Sequence, residues 1–138
     1  MKKLWRPTIA LILILAVLFI PVATAEEAPI DKYTGSASIL SIPDTLDGYA
    51  VTAIGNEAFR LCQNLLSVSI PDGVTSIGDR AFYGCWFLSH ITIPDSVTSI
   101  GDGAFEACAL TLIVSRDSWA EEWCKDNGID YIYSDAHN

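Results

Sequence analysis

Ahead of the Ile-Pro dipeptides at Ile70 and Ile93 the chain alternates. Val68 and Ile70 are interleaved with Ser67 and Ser69, and one unit later Ile91 and Ile93 are interleaved with His90 and Thr92. Apolar residues at a period of two predict a half-buried strand with one face toward a core and one toward water. A second short extended piece is expected around Val74–Gly78 and Val97–Gly101, with a tight turn through the Ala-Phe segment that follows.

The pattern recurs. From Ile70 the chain runs IPDGVTSIGDRAFYGCWFLSHIT, and from Ile93 it runs IPDSVTSIGDGAFEACALTLIVS, with 12 of 23 positions identical. A looser copy, VTAIGNEAF, begins at Val51, 23 residues before VTSIGDRAF. It is preceded by Ile42-Pro43-Asp44 and by five extra residues, where Gly48 marks a longer turn. Aligned, the copies share slots for Val51/Val74/Val97, Ile54/Ile77/Ile100, Ala58/Ala81/Ala104, Phe59/Phe82/Phe105 and Cys62/Cys85/Cys108. Every recurring large side chain is apolar. Gly55/Gly78/Gly101 never carries a Cβ, as positive φ or close approach demands. Pro43/Pro71/Pro94 closes each strand where no ladder donor is needed. One such unit cannot bury its own apolar face, whereas stacked units bury a continuous core, so the repeat predicts a solenoid of parallel strands about 4.8 Å apart.

The combined pattern L-x-x-I-x-I-P-D-x-V-x-x-I-G-x-x-A-F-x-x-C resembles the BspA-like, or Treponema-type, leucine-rich repeats of bacterial surface antigens, from Tyr33 to Tyr133. The resemblance implies a mostly β, short right-handed solenoid of parallel strands ending in a capping helix. It further implies a secreted or surface protein concerned with adhesion and binding of other proteins, with no enzymatic activity.

The ends of the chain follow other rules. Lys2, Lys3 and Arg6 precede twelve apolar residues, Ile9–Ile20, and the small-residue pattern Ala23-Thr24-Ala25. That is the order of a secretory signal peptide over residues 1–25. As a membrane helix the run reaches only about 18 Å of a roughly 30 Å hydrocarbon core, so membrane contact is expected only through this segment before cleavage. Residues 26–36 form a lead-in, 37–114 the repeats, and 115–138 a cap. In the cap, Ser118 followed by Glu121 suggests a capping box, and Trp119 and Trp123 share a helical face expected to cover the last coil. Gly128 is the expected helix stop, with IDYIY a final extended piece. No equivalent lid is evident before the first coil.

Charge and candidate chemistry narrow the function. Beyond Ala25 stand five basic residues against seventeen acidic ones, a formal balance of −12, which speaks against nucleic acid as a partner. The cysteine column is expected to stack as free, buried thiols at a spacing too wide for a disulfide. Cys124, with Cys108 as its first candidate partner, is the place for one if any forms. The thiols lack the paired C-x-x-C of a zinc site, and His90 and His137 lie outside ligand spacing. Asp44/Asp72/Asp95 fit turn chemistry, and Asp79 and Asp102 share a further slot with Asn56; calcium would relieve such a column, but the glycine-rich calcium repeat is missing. No cofactor, metal or catalytic residue is therefore assigned. His90 is expected on the solvated strand face, without the base-and-nucleophile arrangement catalysis needs.

Recognition of an extracellular protein or glycan is the expected function. The candidate contact residues are Ser67, Ser69, His90 and Thr92 on the outer strand face, with Trp86 and Phe87, which replace Gln63 and Asn64 of the preceding copy. The two aromatics either anchor a partner or are buried against the next coil. The contrasting expectation is a structural unit that self-associates, as a homodimer, through its uncapped first coil.

Overall fold

The computed structural model describes residues 15–16 and 27–135. The signal-peptide assignment falls, except for Leu15–Ala16, outside these residues. In chain order the elements are β1 (Leu15–Ala16), β2 (Glu27–Lys32), β3 (Ile39–Ser41), β4 (Thr45–Leu46), β5 (Tyr49–Ile54), β6 (Ser67–Ser69), β7 (Ser76–Ile77), β8 (His90–Thr92), β9 (Ser99–Ile100), β10 (Thr111–Val114), α1 (Trp119–Asn127) and β11 (Tyr131–Tyr133).

Each coil contributes a strand to each of two sheets. One sheet has the order β3-β6-β8-β10-β11, parallel throughout. The other runs β2-β5-β7-β9 in parallel, with β1 added antiparallel to β2 and β4 antiparallel to β5. The inward residues of the first sheet, Leu40, Val68, Ile91 and Leu112, are in register and all buried. They face Val51, Ile54, Val74, Ile77 and Val97 from the other side of one core. The five extra residues of the first copy make the β4–β5 hairpin, whose turn, Asp47-Gly48, has φ of 53° and 90°. Two consecutive positive φ values are what a tight hairpin turn requires.

The Phe slot forms a stacked column through the turns. Phe59 and Phe82 stack with centroids 4.8 Å apart and planes 4° from parallel, and Phe82 and Phe105 follow at 5.7 Å and 12°. Full burial of such a ring stabilises by about 1.5–3 kcal/mol. The column is closed at both ends. Below it, Tyr33 lies over Phe59 at 5.2 Å and its N–H donates to the Ala58 carbonyl at 2.7 Å. Above it, Trp123 of α1 meets Phe105 edge-on at 6.0 Å.

The N-terminal closure corrects the expectation of an uncovered first coil. The lead-in is itself a partial coil: β2 pairs with β5, Ile30 is fully buried, and Tyr33 takes the Phe slot. Only two residues separate Ile30 from Tyr33, where the repeats place four between their Ile and Phe, so the compressed spacing hid the copy.

The C-terminal cap forms with one difference. The Ser118 hydroxyl accepts the Glu121 N–H at 3.1 Å, and Gly128 ends the helix at φ 67°. The Glu121 carboxylate reaches back to the Asp117 N–H at 2.7 Å, one residue before the capping serine. The buried face is Ala120, Glu121 and Cys124. Trp123 therefore flanks the core and covers it, while Trp119 is turned outward and 38% exposed, contrary to the expectation that both tryptophans form the lid.

Candidate functional site

Three columns of polar or reactive side chains run along the solenoid, and the geometry gives two of them structural work. The Asn56 Oδ1 accepts the Asp79 N–H at 2.8 Å, and the Asp79 Oδ1 accepts the Asp102 N–H at 2.9 Å. Each side chain thus holds the backbone of the coil that follows. The neighbouring glycine slot lies in the path of this bond. A Cβ on Gly78 would stand 2.3 Å from Asn56 Oδ1, and one on Gly101 2.2 Å from Asp79 Oδ1. Close approach, with no positive φ at either, is what excludes a side chain there.

The cysteines form the second column, and all four are free. Cys85 donates its thiol to the Phe59 carbonyl and Cys108 to the Phe82 carbonyl, both at 3.0 Å. This turns Cys108 back toward the preceding coil, and the Cys108–Cys124 disulfide named as first candidate does not form. Contact with the Cys108 thiol, together with burial, pushes the Cys85 thiol well above its ordinary range. Burial, with the nearby Glu121 charge, raises Cys124 to about 11.

The third column belongs to the outer strand face. Register pairs Ser67 with His90 and Ser69 with Thr92, so the four predicted residues form one patch on β6 and β8. His90 and Ser69 are exposed, while Ser67 and Thr92 are half-buried. The His90 Nδ1 lies 3.1 Å from the Ser89 Oγ. That hydroxyl donates to the Leu66 carbonyl at 3.0 Å, which directs its proton away from the imidazole. A base activating a nucleophile needs the opposite polarity.

Trp86 and Phe87 sit in the turn that leads into β8. They are 56% and 61% exposed, which decides the open alternative in favour of solvent over burial against the next coil. Other exposed apolar side chains escaped the sequence reading. Leu61 and Leu66 are 44% and 46% exposed on the preceding coil, and Ile39 is 76% exposed on the edge strand β3.

A groove of about 270 Å³ is lined by Glu57, Arg60, Arg80, Tyr83 and Glu106. It is built by two repeat slots, Glu57/Arg80/Gly103 and Arg60/Tyr83/Glu106, in adjacent turns. Those turns are laced by backbone bonds from Leu61 to Tyr83 and from Gly84 to Glu106, at 2.8 and 3.0 Å. Glu57 and Arg80 hold left-handed φ of 57° and 52°, where the third coil has Gly103 at 65°. These slots vary from copy to copy, so alignment for shared residues passed over them.

The family model described as BspA type Leucine rich repeat region (6 copies) matches residues 33–120. Among solved structures the chain is similar to a leucine rich cell surface protein from Faecalibacterium prausnitzii, with 36% identity and a TM-score of 0.55 over 71% of this chain and 30% of that one. A leucine-rich repeat protein from Bacteroides ovatus shares the fold, with 24% identity and a TM-score of 0.54 over 75% of this chain and 37% of that one. The chain thus spans well under half the length of either protein. No curated protein matches it. With the repeat slots, the stacked coils and the family match in agreement, the chain belongs to the BspA-type leucine-rich-repeat family.

Proposed function

We propose that the protein is exported and acts outside the cell as a recognition module, binding a macromolecular partner by surface contact without performing chemistry. The observation that carries this reading is the adjacent pair Trp86 and Phe87, each more than half exposed at positions where the preceding coil has Gln63 and Asn64. Exposed aromatics on a rigid scaffold lose little conformational entropy on binding and are favoured anchors. The likeness to a protein described as a cell surface protein supports the location. Among the described residues no helix is long and apolar enough to cross a membrane.

The test is binding of the purified protein to mucin-coated and serum-protein-coated surfaces, with its mass followed by light scattering. The double variant Trp86→Ala/Phe87→Ala should lose binding while keeping its circular dichroism. Unchanged binding would sink the reading. A second reading, edge-to-edge self-association, is favoured by Ile39, exposed on the outer strand β3, which among the described residues pairs only with β6. It predicts a concentration-dependent dimer that Ile39→Lys abolishes.

A further inference from the structure

The five basic residues beyond Ala25 are unevenly placed. Lys125 is tied to Glu121 at 2.8 Å, and Arg116 to Asp135 at 3.4 Å with its guanidinium 3.9 Å from the Tyr133 ring centre. Lys32 lies apart on β2. The remaining two, Arg60 and Arg80, line the same groove. Arg60 is held loosely, 3.7 Å from Glu57 with both side chains nearly half exposed, and its guanidinium lies 5.7 Å from the Tyr83 ring centre. Arg80 makes no ion pair among the described residues, although Glu57 and Glu106 line the groove with it.

Trp86 is linked to this groove through Gly84, the residue after the groove's Tyr83. Leu61 follows Arg60, and Gly84 follows Tyr83. A methyl group on Gly84 would meet the Leu61 side chain at 2.6 Å and the Trp86 indole nitrogen at 3.9 Å. Gly84, at φ 71°, thus carries no side chain where Leu61 packs, and the Trp86 indole nitrogen lies close to its backbone.

We infer that the groove and the Trp86 indole form a binding site for a neutral glycan. The inference rests on the recognition role proposed above and names the ligand class at that place. Two arginines supply N–H donors and two glutamates supply acceptors, while a sugar hydroxyl is both donor and acceptor. Their charges cancel, so the groove itself neither attracts nor repels a neutral ligand. An anionic glycan would face the −12 balance of the chain beyond Ala25 at long range and two carboxylates at short range. The groove itself is lined by four charged side chains and one aromatic ring, which gives a polypeptide little apolar footprint there. Trp86 offers a flat apolar face with an N–H at its edge, suited to the C–H face of a sugar ring. Glu57 and Arg80 keep charged side chains at strained left-handed positions where Gly103 stands in the third coil, and neither adds to the core.

The experiment titrates the purified protein with cellohexaose, mannohexaose and xylohexaose, with polygalacturonate as the anionic arm and deglycosylated mucin as the polypeptide arm. Tryptophan emission and calorimetry are the readouts. At least one neutral oligosaccharide should bind, shifting emission to the blue, with an affinity that high salt leaves unchanged. Trp86→Ala and Arg80→Ala, both at exposed positions, should each weaken it roughly tenfold or more, as loss of about 1.4 kcal/mol does. Binding that survives both substitutions, salt-sensitive binding of polygalacturonate alone, or no binding of any neutral oligosaccharide overturns the inference. Trp86-dependent binding of deglycosylated mucin without glycan binding also overturns it but leaves the recognition role standing. If no surface or ligand responds to Trp86→Ala/Phe87→Ala, both fail.

Discussion

Gly101→Ala and Gly128→Ala add the same methyl group and should differ sharply in effect. At Gly128, φ is 67° and nothing lies within 4 Å of the new Cβ. The left-handed conformation costs an L-residue about 1–2 kcal/mol. A less flexible unfolded chain returns about 0.4–1 kcal/mol, leaving a loss near 1 kcal/mol. At Gly101 the backbone is unstrained, but the Cβ would stand 2.2 Å from Asp79 Oδ1, 2.6 Å from Asp79 N and 2.8 Å from Asp79 Cα. Asp79 cannot simply retreat, because its N–H is held by Asn56 at 2.8 Å and its carboxylate holds Asp102 at 2.9 Å. Overpacking of this kind costs about 1–3 kcal/mol, and the displaced hydrogen bond adds about 1 kcal/mol. After the same unfolded-state gain the loss is about 1–3.5 kcal/mol, a little above 2 at mid-range. At about 4 °C per kcal/mol for a domain of this size, Gly128→Ala should melt about 4 °C lower and Gly101→Ala about 9 °C lower at mid-range. Thermal unfolding followed by far-ultraviolet circular dichroism reads both. Equal shifts, or a larger one at Gly128, would refute the claim that close approach sets the repeat glycine.

Three further outcomes follow from the core and the cap. Phe82→Ala removes the middle ring of the stacked column and should cost about 3–5 kcal/mol in urea unfolding, a large share of a typical total of about 5–15 kcal/mol. Lys125, the Asp117 N–H and the Tyr133 hydroxyl hold the Glu121 carboxyl down to about 2 from its usual 4.5. Because the folded value is the lower one, the stabilisation is complete above pH 4.5 and disappears as pH falls toward 2. Near-ultraviolet circular dichroism of the cap should lose signal in that window, and Glu121→Gln should remove this pH dependence. Cys85 and Cys124, both buried, should resist a disulfide reagent at pH 8 in the native protein while the half-buried Cys62 and Cys108 react first. Uniform reaction of all four thiols without unfolding would contradict the burial.

Most of the solenoid was legible because each coil repeats the same inward residues. Val68 and Ile91 lie in register in adjacent strands, and the Phe and Cys slots stack as alignment of the copies implies. The partial coil at Ile30–Tyr33 was hidden because two residues are missing between its markers. The outward turn of Trp119 was hidden because its spacing to Trp123 does not say which side of the helix faces the core; burial of Ala120 and Cys124 does. The strand-face residues Ser67, Ser69, His90 and Thr92 lie paired on β6 and β8, because strand parity sets which side chains share a face. The groove was not legible. Its residues occupy slots that change from coil to coil, and only the stacking of turns brings Glu57 beside Arg80 and Arg60 beside Tyr83.

The ladder from Asn56 through Asp79 to Asp102 runs one way, each side chain gripping the coil after it. Residues 70–92 therefore meet their neighbours through one kind of floor and one kind of ceiling. A second in-frame copy of that segment spliced after Thr92 would offer Asn56 and Asp102 the same partners they already have in kind. Lengthening this array is thus a matter of gene duplication without repacking, with the compressed first coil and the helix staying at the ends, and reach along the solenoid can evolve independently of its core.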